Sequence, residues 1–196
     1  MWRSVRSTAA VTVGLLLFAV PAQAAPESEA AGEVTEAAVS AAEIAANNAA
    51  VWESLPPNVT MTVLGEMPEL VGPIDHYTQD GPTTTTGVTA LAAATVPYNF
   101  TFDGVHDWPG RDFKSTKTKI CKDIEVTWDS PEASWHKFQV KLSKGGTVTV
   151  PTDGVARSYC WSGVPTNTIM FFNYKSTNNE DGDIAFASGS GRVRYA

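Results

Sequence analysis

From about residue 94 to the C-terminus, hydrophobic and polar residues alternate with a period of two. The clearest runs are Ile124–Trp128, Phe138–Leu142, Thr147–Val150 and Ile169–Tyr174. Such alternation is typical of strands that bury one face in a core. Turn-forming dipeptides such as Gly145-Gly146 separate the runs. About seven to eight short strands in this length predict a mainly β domain over residues 95–196, folded as an antiparallel β-sandwich or a small barrel.

The chain before this domain has a different pattern. The Ala-rich stretch Thr35–Leu55 predicts a helix that ends before Pro56-Pro57. Its apolar residues near one face are Val39, Ile44, Val51, Trp52 and Leu55. The residues that follow are rich in Gly, Pro and Thr, which is typical of turns and linkers. We therefore expect residues 25–94 to be an acidic, partly helical or disordered segment without a core of its own.

Charge supports a boundary in the same part of the chain. The formal net charge is −7, yet Ala25–Phe100 contains ten acidic residues and no Lys or Arg. Acidic and basic residues are nearly balanced from Thr101 to Ala196. A solvated spacer explains the acidic segment, and a propeptide that lies on the domain and is removed later is the alternative.

The N-terminal residues 1–24 have the three parts of a secretory signal peptide. Arg3 and Arg6 give a positive start, an apolar run covers 11–20, and Ala22-Gln23-Ala24 fits a cleavage signature. The apolar run is shorter than the roughly 20 residues of a spanning helix. We expect cleavage after Ala24, a secreted, extracellular product and no membrane span.

The two cysteines, Cys121 and Cys160, both lie in the predicted β domain. In an oxidising compartment, an even pair indicates one disulfide. Closing a loop of about 40 residues would stabilise the domain by roughly 3–4 kcal/mol on a chain-entropy model. We expect the bond to join strands of the two sheets, and a reactive thiol or metal-ligand pair is the alternative.

Catalytic motifs with a known mechanism are absent from the sequence. It contains no HExxH, GxSxG, Walker or dinucleotide-binding pattern, so the chain is not predicted to be an enzyme and no cofactor or metal is expected. The loop at residues 103–112, between two predicted strands, nevertheless combines an aromatic ring, an imidazole and charged groups, and functional residues are often found on such loops. A second tryptophan, Trp135, is expected on an outer face of the sheet. The candidate ligand-binding residues are therefore His106, Asp107, Trp108, Arg111 and Trp135.

An exposed Trp108 would offer a flat apolar surface to a sugar ring or a peptide. The alternative is that Trp108 folds back over the sheet edge, because large aromatic side chains are usually buried. Trp128 and Trp161 are predicted to lie in the core.

Two further patterns have a functional and a structural interpretation. The oxygen-rich residues of 178–183 suit calcium, and a polar hairpin turn explains them equally. A basic stripe either binds an anionic polymer or protects an edge strand; it consists of Arg111, Lys114, Lys117, Lys119 and Lys122. The pI near 4.9 argues against nucleic acid as a partner.

The order of an Ala-rich leader, an Ala/Thr-rich spacer and a compact β domain resembles small secreted proteins of actinobacteria. The stretch Val126–Tyr195 also resembles accessory β-sandwich domains of secreted bacterial hydrolases. That likeness rests on Trp128, on Phe138–Leu142 and on the closing Gly189–Tyr195. The resemblance implies the fold and assigns no functional residue.

Together these features favour a secreted, non-enzymatic binding domain. Its expected ligand is a cell-wall polymer, a polysaccharide or an extracellular protein. Two alternatives stay open. The first is a secreted protease inhibitor, because a disulfide-linked β domain can hold a preorganised loop. The second is a latent hydrolase whose propeptide is the acidic segment.

Overall fold

The computed structural model of the protein describes residues 39–79, 81–84, 93–130, 137–177 and 184–196, with the backbone alone at 81–84. The predicted signal peptide and the predicted calcium loop at 178–183 lie outside the described residues. So does the segment 131–136, which contains Trp135.

The described residues form one helix and thirteen strands. The first part of the chain gives α1 (Ala41–Ser54), β1 (Val59–Gly65), β2 (Ile74–Thr78), β3 (Gly81–Thr84), β4 (Tyr98–Val105), β5 (Asp107–Pro109) and β6 (Phe113–Lys114). The second part gives β7 (Lys119–Trp128), β8 (Lys137–Leu142), β9 (Gly146–Val150), β10 (Ala156–Ser162), β11 (Ile169–Met170), β12 (Phe172–Thr177) and β13 (Ala187–Tyr195).

Two sheets form the body of the fold. The larger has seven strands in the order β1-β10-β7-β13-β4-β2-β3, and the smaller has four in the order β5-β12-β8-β9. A short β11–β6 pair accompanies them. Their strand pairs are antiparallel except β2–β4, which is parallel. The prediction of a mainly β, sandwich-like fold with one disulfide is confirmed.

Aromatic side chains dominate the core between the sheets. On β4, Phe100 and Phe102 face inward, opposite Gly191 and Gly189 of β13. A Cβ at either glycine would collide with the ring of the opposing phenylalanine. The closing Gly-Ser-Gly sequence is therefore required by close packing of the rings on the β13 backbone.

The interpretation of the residues after Pro57 as a linker is wrong for the described part of that segment. β1 pairs with β10 and β2 pairs with β4, so both belong to the seven-stranded sheet. Val59, Met61 and Tyr77 point their side chains into the core. Charge composition misled here, because β1 contains no acidic residue and the acidic residue of β2, Asp75, forms an ion pair with Arg111.

The boundary placed near residue 94 consequently does not separate two folded parts among the described residues. Helix α1 and strands β1 and β2 pack with the C-terminal strands in one compact unit beginning at Ala38. Cleavage after Ala24 stays a prediction, and so does the alternative that residues 25–94 are a propeptide removed later.

The disulfide joins Cys121 and Cys160 as predicted, but it does not cross between the sheets. The two cysteines lie directly opposite each other on neighbouring strands β7 and β10 of the larger sheet, with a Cα–Cα distance of 4.0 Å. Both side chains therefore project from the outer face, away from the aromatic core. The bond fixes the pairing of β7 with β10.

Candidate functional site

A cleft of about 400 Å³ lies between helix α1 and strands β8 and β9. Its lining comes from four parts of the chain, and the side chains used below are Glu43, Asn47, Trp128, Lys137, Thr149 and Asp153. Concave surfaces that combine an aromatic ring with a few fixed polar groups are the usual form of ligand sites. The cleft is therefore the candidate functional site.

Helix α1 forms one wall of the cleft. Ser40 caps its N-terminus by accepting a hydrogen bond from the backbone N–H of Glu43 at 3.2 Å. Val51 is buried against the sandwich, and Pro56-Pro57 prevents the helix from continuing. The helix thus presents Glu43, Asn47 and Ser54, spaced along one side, to the cleft.

A charged network fixes the helix to the loop before β10. Both side-chain oxygens of Asp153 accept hydrogen bonds from the Arg157 guanidinium, at 2.7 and 2.8 Å. Asn47 donates to Asp153 at 2.9 Å, and Arg157 Nε donates to Asn48 Oδ1 at 2.7 Å. Two consecutive asparagines of the acidic segment therefore bind two members of one ion pair.

The electrostatics keep Asp153 ionised. Burial alone would raise the pKa of Asp153, but the hydrogen bonds from Arg157 and Asn47 outweigh it and lower the pKa. The carboxylate is held on one side by the fully buried Arg157 and on the other by Asn47. A polar group fixed before binding loses little conformational freedom when a ligand arrives.

Trp128 supplies the aromatic ring of the cleft. It ends β7, is half-buried, and meets Phe138 of β8 edge-to-face with a centroid distance of 6.2 Å. The sequence predicted Trp128 to be a core residue; it packs against the core from its edge and also lines the cleft. Its position at the last residue of β7 was the available signal, because strand ends lie at the rim of a sheet.

The expectation of an exposed Trp108 is wrong. Trp108 on β5 is 7% exposed and stacks on Tyr174 with a centroid distance of 4.2 Å and an angle of 4°. It also contacts Tyr77 and Phe102. The ring packs inward because β5 pairs with β12, which brings Tyr174 directly opposite Trp108. The alternative considered from sequence, a tryptophan folded back on the sheet edge, describes it better.

The other predicted residues have separate surroundings. His106 is half-buried and meets the ring of Phe186 edge-on at 5.6 Å. Asp107 is exposed on β5. Arg111 forms an ion pair with the buried carboxylate of Asp75 at 3.1 Å. Trp135 lies outside the described residues, so its predicted role is not tested.

The predicted basic stripe does not form one surface. Lys114, Lys117 and Lys119 are exposed, whereas Lys122 is fully buried among three aromatic rings. Period-two alternation explains the difference, because the even-numbered residues of β7 face the core.

Within the described ranges, no group of three or more His, Cys, Asp or Glu side chains is arranged to hold a metal ion. No described helix is long and apolar enough to cross a membrane. No protein family model, curated protein or solved structure matches the chain.

Proposed function

We propose that the protein is a secreted binding module that holds a saccharide unit of a larger polymer in the cleft between α1 and the β8–β9 strands. The observation that carries the proposal is the half-buried indole of Trp128 beside a preorganised polar network. An indole face packs against the C–H face of a sugar ring, and neighbouring polar groups fix its hydroxyl groups.

The polar lining supports a sugar in preference to a purely apolar ligand. Glu43 and Asp153 offer carboxylate oxygens, Asn47 an amide, Lys137 an ammonium group and Thr149 a hydroxyl. Sugar hydroxyl groups donate and accept hydrogen bonds, so this mixture suits them. A volume near 400 Å³ lies in the range of small-ligand sites and fits one or two sugar rings.

The direct test is co-sedimentation of the full chain with insoluble polysaccharides and purified cell walls, at low and high salt. Aromatic packing on a neutral sugar predicts pelleting that survives high salt, because screening weakens only charge interactions. Pelleting that disappears at high salt would overturn the cleft proposal in favour of exposed charges.

Variants locate the binding surface. Trp128→Ala is expected to weaken binding about tenfold or more, which corresponds to about 1.4 kcal/mol. Trp52→Ala is the matched control, because Trp52 is 54% exposed on α1 and does not line the cleft. Thermal unfolding of both variants checks that Trp128→Ala remains folded.

A second change keeps the proposal testable if Trp128→Ala unfolds. Thr149→Val preserves the shape of the side chain and removes its hydroxyl group at the cleft, and it should weaken binding in a folded protein. Wild-type affinity in both Thr149→Val and Trp128→Ala, or a loss confined to Trp52→Ala, would contradict the assignment to the cleft. Failure of the wild-type chain to pellet with any polymer would favour a soluble protein partner, and protease inhibition would be tested next.

A further inference from the structure

Strand β1 lies at the end of the seven-stranded sheet. It pairs on one side with β10, in the register Val59↔Trp161 and Met61↔Tyr159. Within the part of the chain that the structure describes, no strand pairs with its other side. Such an edge offers backbone hydrogen-bonding groups to another chain.

The hydrogen-bonding pattern identifies which groups face the open side. Ser162 N–H donates to Asn58 O at 2.9 Å, so the residues of even number in β1 exchange backbone bonds with β10. The odd-numbered residues Met61 and Val63 therefore point their N–H and C=O groups outward. Val59 N–H donates to Pro56 O at 2.9 Å, while its carbonyl group points to the open edge.

The described residues of this strand carry neither of two common edge protections, a charged side chain or a proline. Residues Val59–Gly65 include no charged residue and no proline. The register shift between Val63 and Gly65 interrupts the ladder only at the C-terminal end. An uncharged edge of five residues remains, which is the kind of edge that natural β proteins ordinarily block or cover.

The sequence of this edge is symmetric. Residues 59–63 read Val-Thr-Met-Thr-Val in both directions. A two-fold axis places the same patch of both copies in contact, so a palindromic strand meets its own residue types when it pairs antiparallel with itself. We infer that β1 pairs antiparallel with β1 of a second copy of this chain, around a two-fold axis at Met61.

The proposed register forms backbone hydrogen bonds across the axis and pairs like side chains. Met61 of the two copies exchanges N–H···O=C bonds, and Val63 N–H donates to Val59 O of the second copy. Thr60 lies opposite Thr62 of the second copy on the outer face, where both side chains are exposed. Cross-strand threonine pairs of this kind are favourable.

The contact is small, so the dimer forms at high concentration and dissociates on dilution. The formal charge of −7 on each copy opposes association, and salt screens this repulsion. We therefore expect the dimer to strengthen with added salt. This association is independent of saccharide binding in the cleft, so one can fail without the other.

Sedimentation equilibrium of the full chain measures the association. The expected result is a mass that rises from 20.9 kDa towards twice that value as concentration increases. Thr60→Lys/Thr62→Lys places like charges opposite each other across the axis and should abolish the rise. Thr127→Lys, at an exposed position on the internal strand β7, is the control and should leave it unchanged.

Cross-linking tests the register directly. A mixture of Thr60→Cys and Thr62→Cys chains should form a disulfide-linked heterodimer under mild oxidation, whereas either variant alone should give at least several-fold less. A mass that stays monomeric at all concentrations would overturn the proposal. Efficient cross-linking of Thr62→Cys with itself would overturn the two-fold axis at Met61.

Discussion

Two basic side chains lie fully buried on the inner face of the same sheet, and their surroundings differ. Arg157 on β10 binds the carboxylate of Asp153 through two nitrogens and donates to Asn48. On β7, the Lys122 Nζ atom lies 3.6 Å from the ring centroid of Phe100 and 4.5 Å from the ring centroids of Phe172 and Tyr174. It donates to the Tyr174 hydroxyl group.

The comparison shows two ways of burying a basic group. Arginine stays charged in proteins, so it needs an anion with matching geometry, and Asp153 provides one. Lysine can lose its proton instead. Burial lowers the pKa of Lys122 well below its ordinary value, and Asp123 opposes this only in part.

The difference also concerns the origin of the partners. Lys122 is surrounded by residues of β4 and β12, all within the aromatic core. Arg157 depends on Asn48 of helix α1, which belongs to the acidic segment of the chain. Helix α1 therefore supplies a hydrogen-bond acceptor that the buried Arg157 guanidinium needs. Four changes test the contrast between the buried charged groups.

The largest effect is expected for Asp153→Ala. This change leaves the Arg157 guanidinium buried without its anion, and removing one partner of a buried pair typically costs about 3–5 kcal/mol. Chemical denaturation at pH 7 measures the free energy of unfolding. The double variant Asp153→Ala/Arg157→Met removes the whole pair, so it should recover much of the loss. An equal loss in the double variant would show that the charge is not the cause.

Asn48→Ala should have the next largest effect. It leaves the buried Arg157 Nε–H without its acceptor, for which about 1–3 kcal/mol is typical. Asn58→Ala is the control, because Asn58 is exposed and its side chain donates to backbone oxygens. A loss in Asn58→Ala as large as that in Asn48→Ala would show that burial of the guanidinium does not set the size of the effect.

Lys122→Met should change the pH dependence of stability. Because the folded pKa of Lys122 is lowered, the unfolded chain binds more protons between that pKa and the ordinary value of 10.5. Burial of Lys122 therefore costs no protonation free energy above pH 10.5. The free energy of unfolding then decreases as the pH falls from 10.5 towards the folded pKa. One proton gives a slope of up to about 1.4 kcal/mol per pH unit.

The measurement is the free energy of unfolding of wild type and Lys122→Met from pH 7 to 10. The wild-type value should rise with pH relative to the variant, because Met has no proton to gain on unfolding. Since Met is apolar and close in size to Lys, the variant should be at least as stable at pH 7. A difference that does not vary with pH would contradict a lowered pKa.

Much of this architecture follows from local patterns. Alternation predicted the strands that contain Phe138–Leu142 and Ile124–Trp128, and the cysteine count predicted the disulfide. The same alternation also places Lys122 on the face of Ile124 and Val126. A lysine at an inward position was therefore visible in the sequence, but its membership in a basic stripe obscured it.

The candidate site was harder to predict because it depends on contacts between distant parts of the chain. Asn47 and Asp153 are separated by 106 positions, and Asn48 and Arg157 by 109. No local pattern records such pairs. Trp108 was offered as an exposed residue from its Pro-Gly neighbours, yet pairing of β5 with β12 turned it against Tyr174.

The smallest effect is expected for Arg192→Gln on the outer face of the sheet. The buried Asp123 carboxylate there accepts hydrogen bonds from Arg192 at 2.6 Å and from Arg194 at 2.9 Å. Both arginines are about one-third exposed, at 30% and 32%. Solvent screens such a pair, and Arg194 remains to hold the carboxylate, so we expect a loss of roughly 1 kcal/mol or less at pH 7.

Comparison of single and double variants makes this prediction specific. Arg192→Gln/Arg194→Gln leaves Asp123 buried without a cation and should lose more than the sum of the two single changes. Although burial raises the pKa of Asp123, hydrogen bonds from Arg194, Ser158 and Arg192 lower it overall. Its contribution to stability is therefore complete above the ordinary value of 3.8 and is lost as the pH falls below it. If the losses add simply at pH 7, the two arginines do not substitute for each other, and Asp123 resembles Asp153 in depending on each partner.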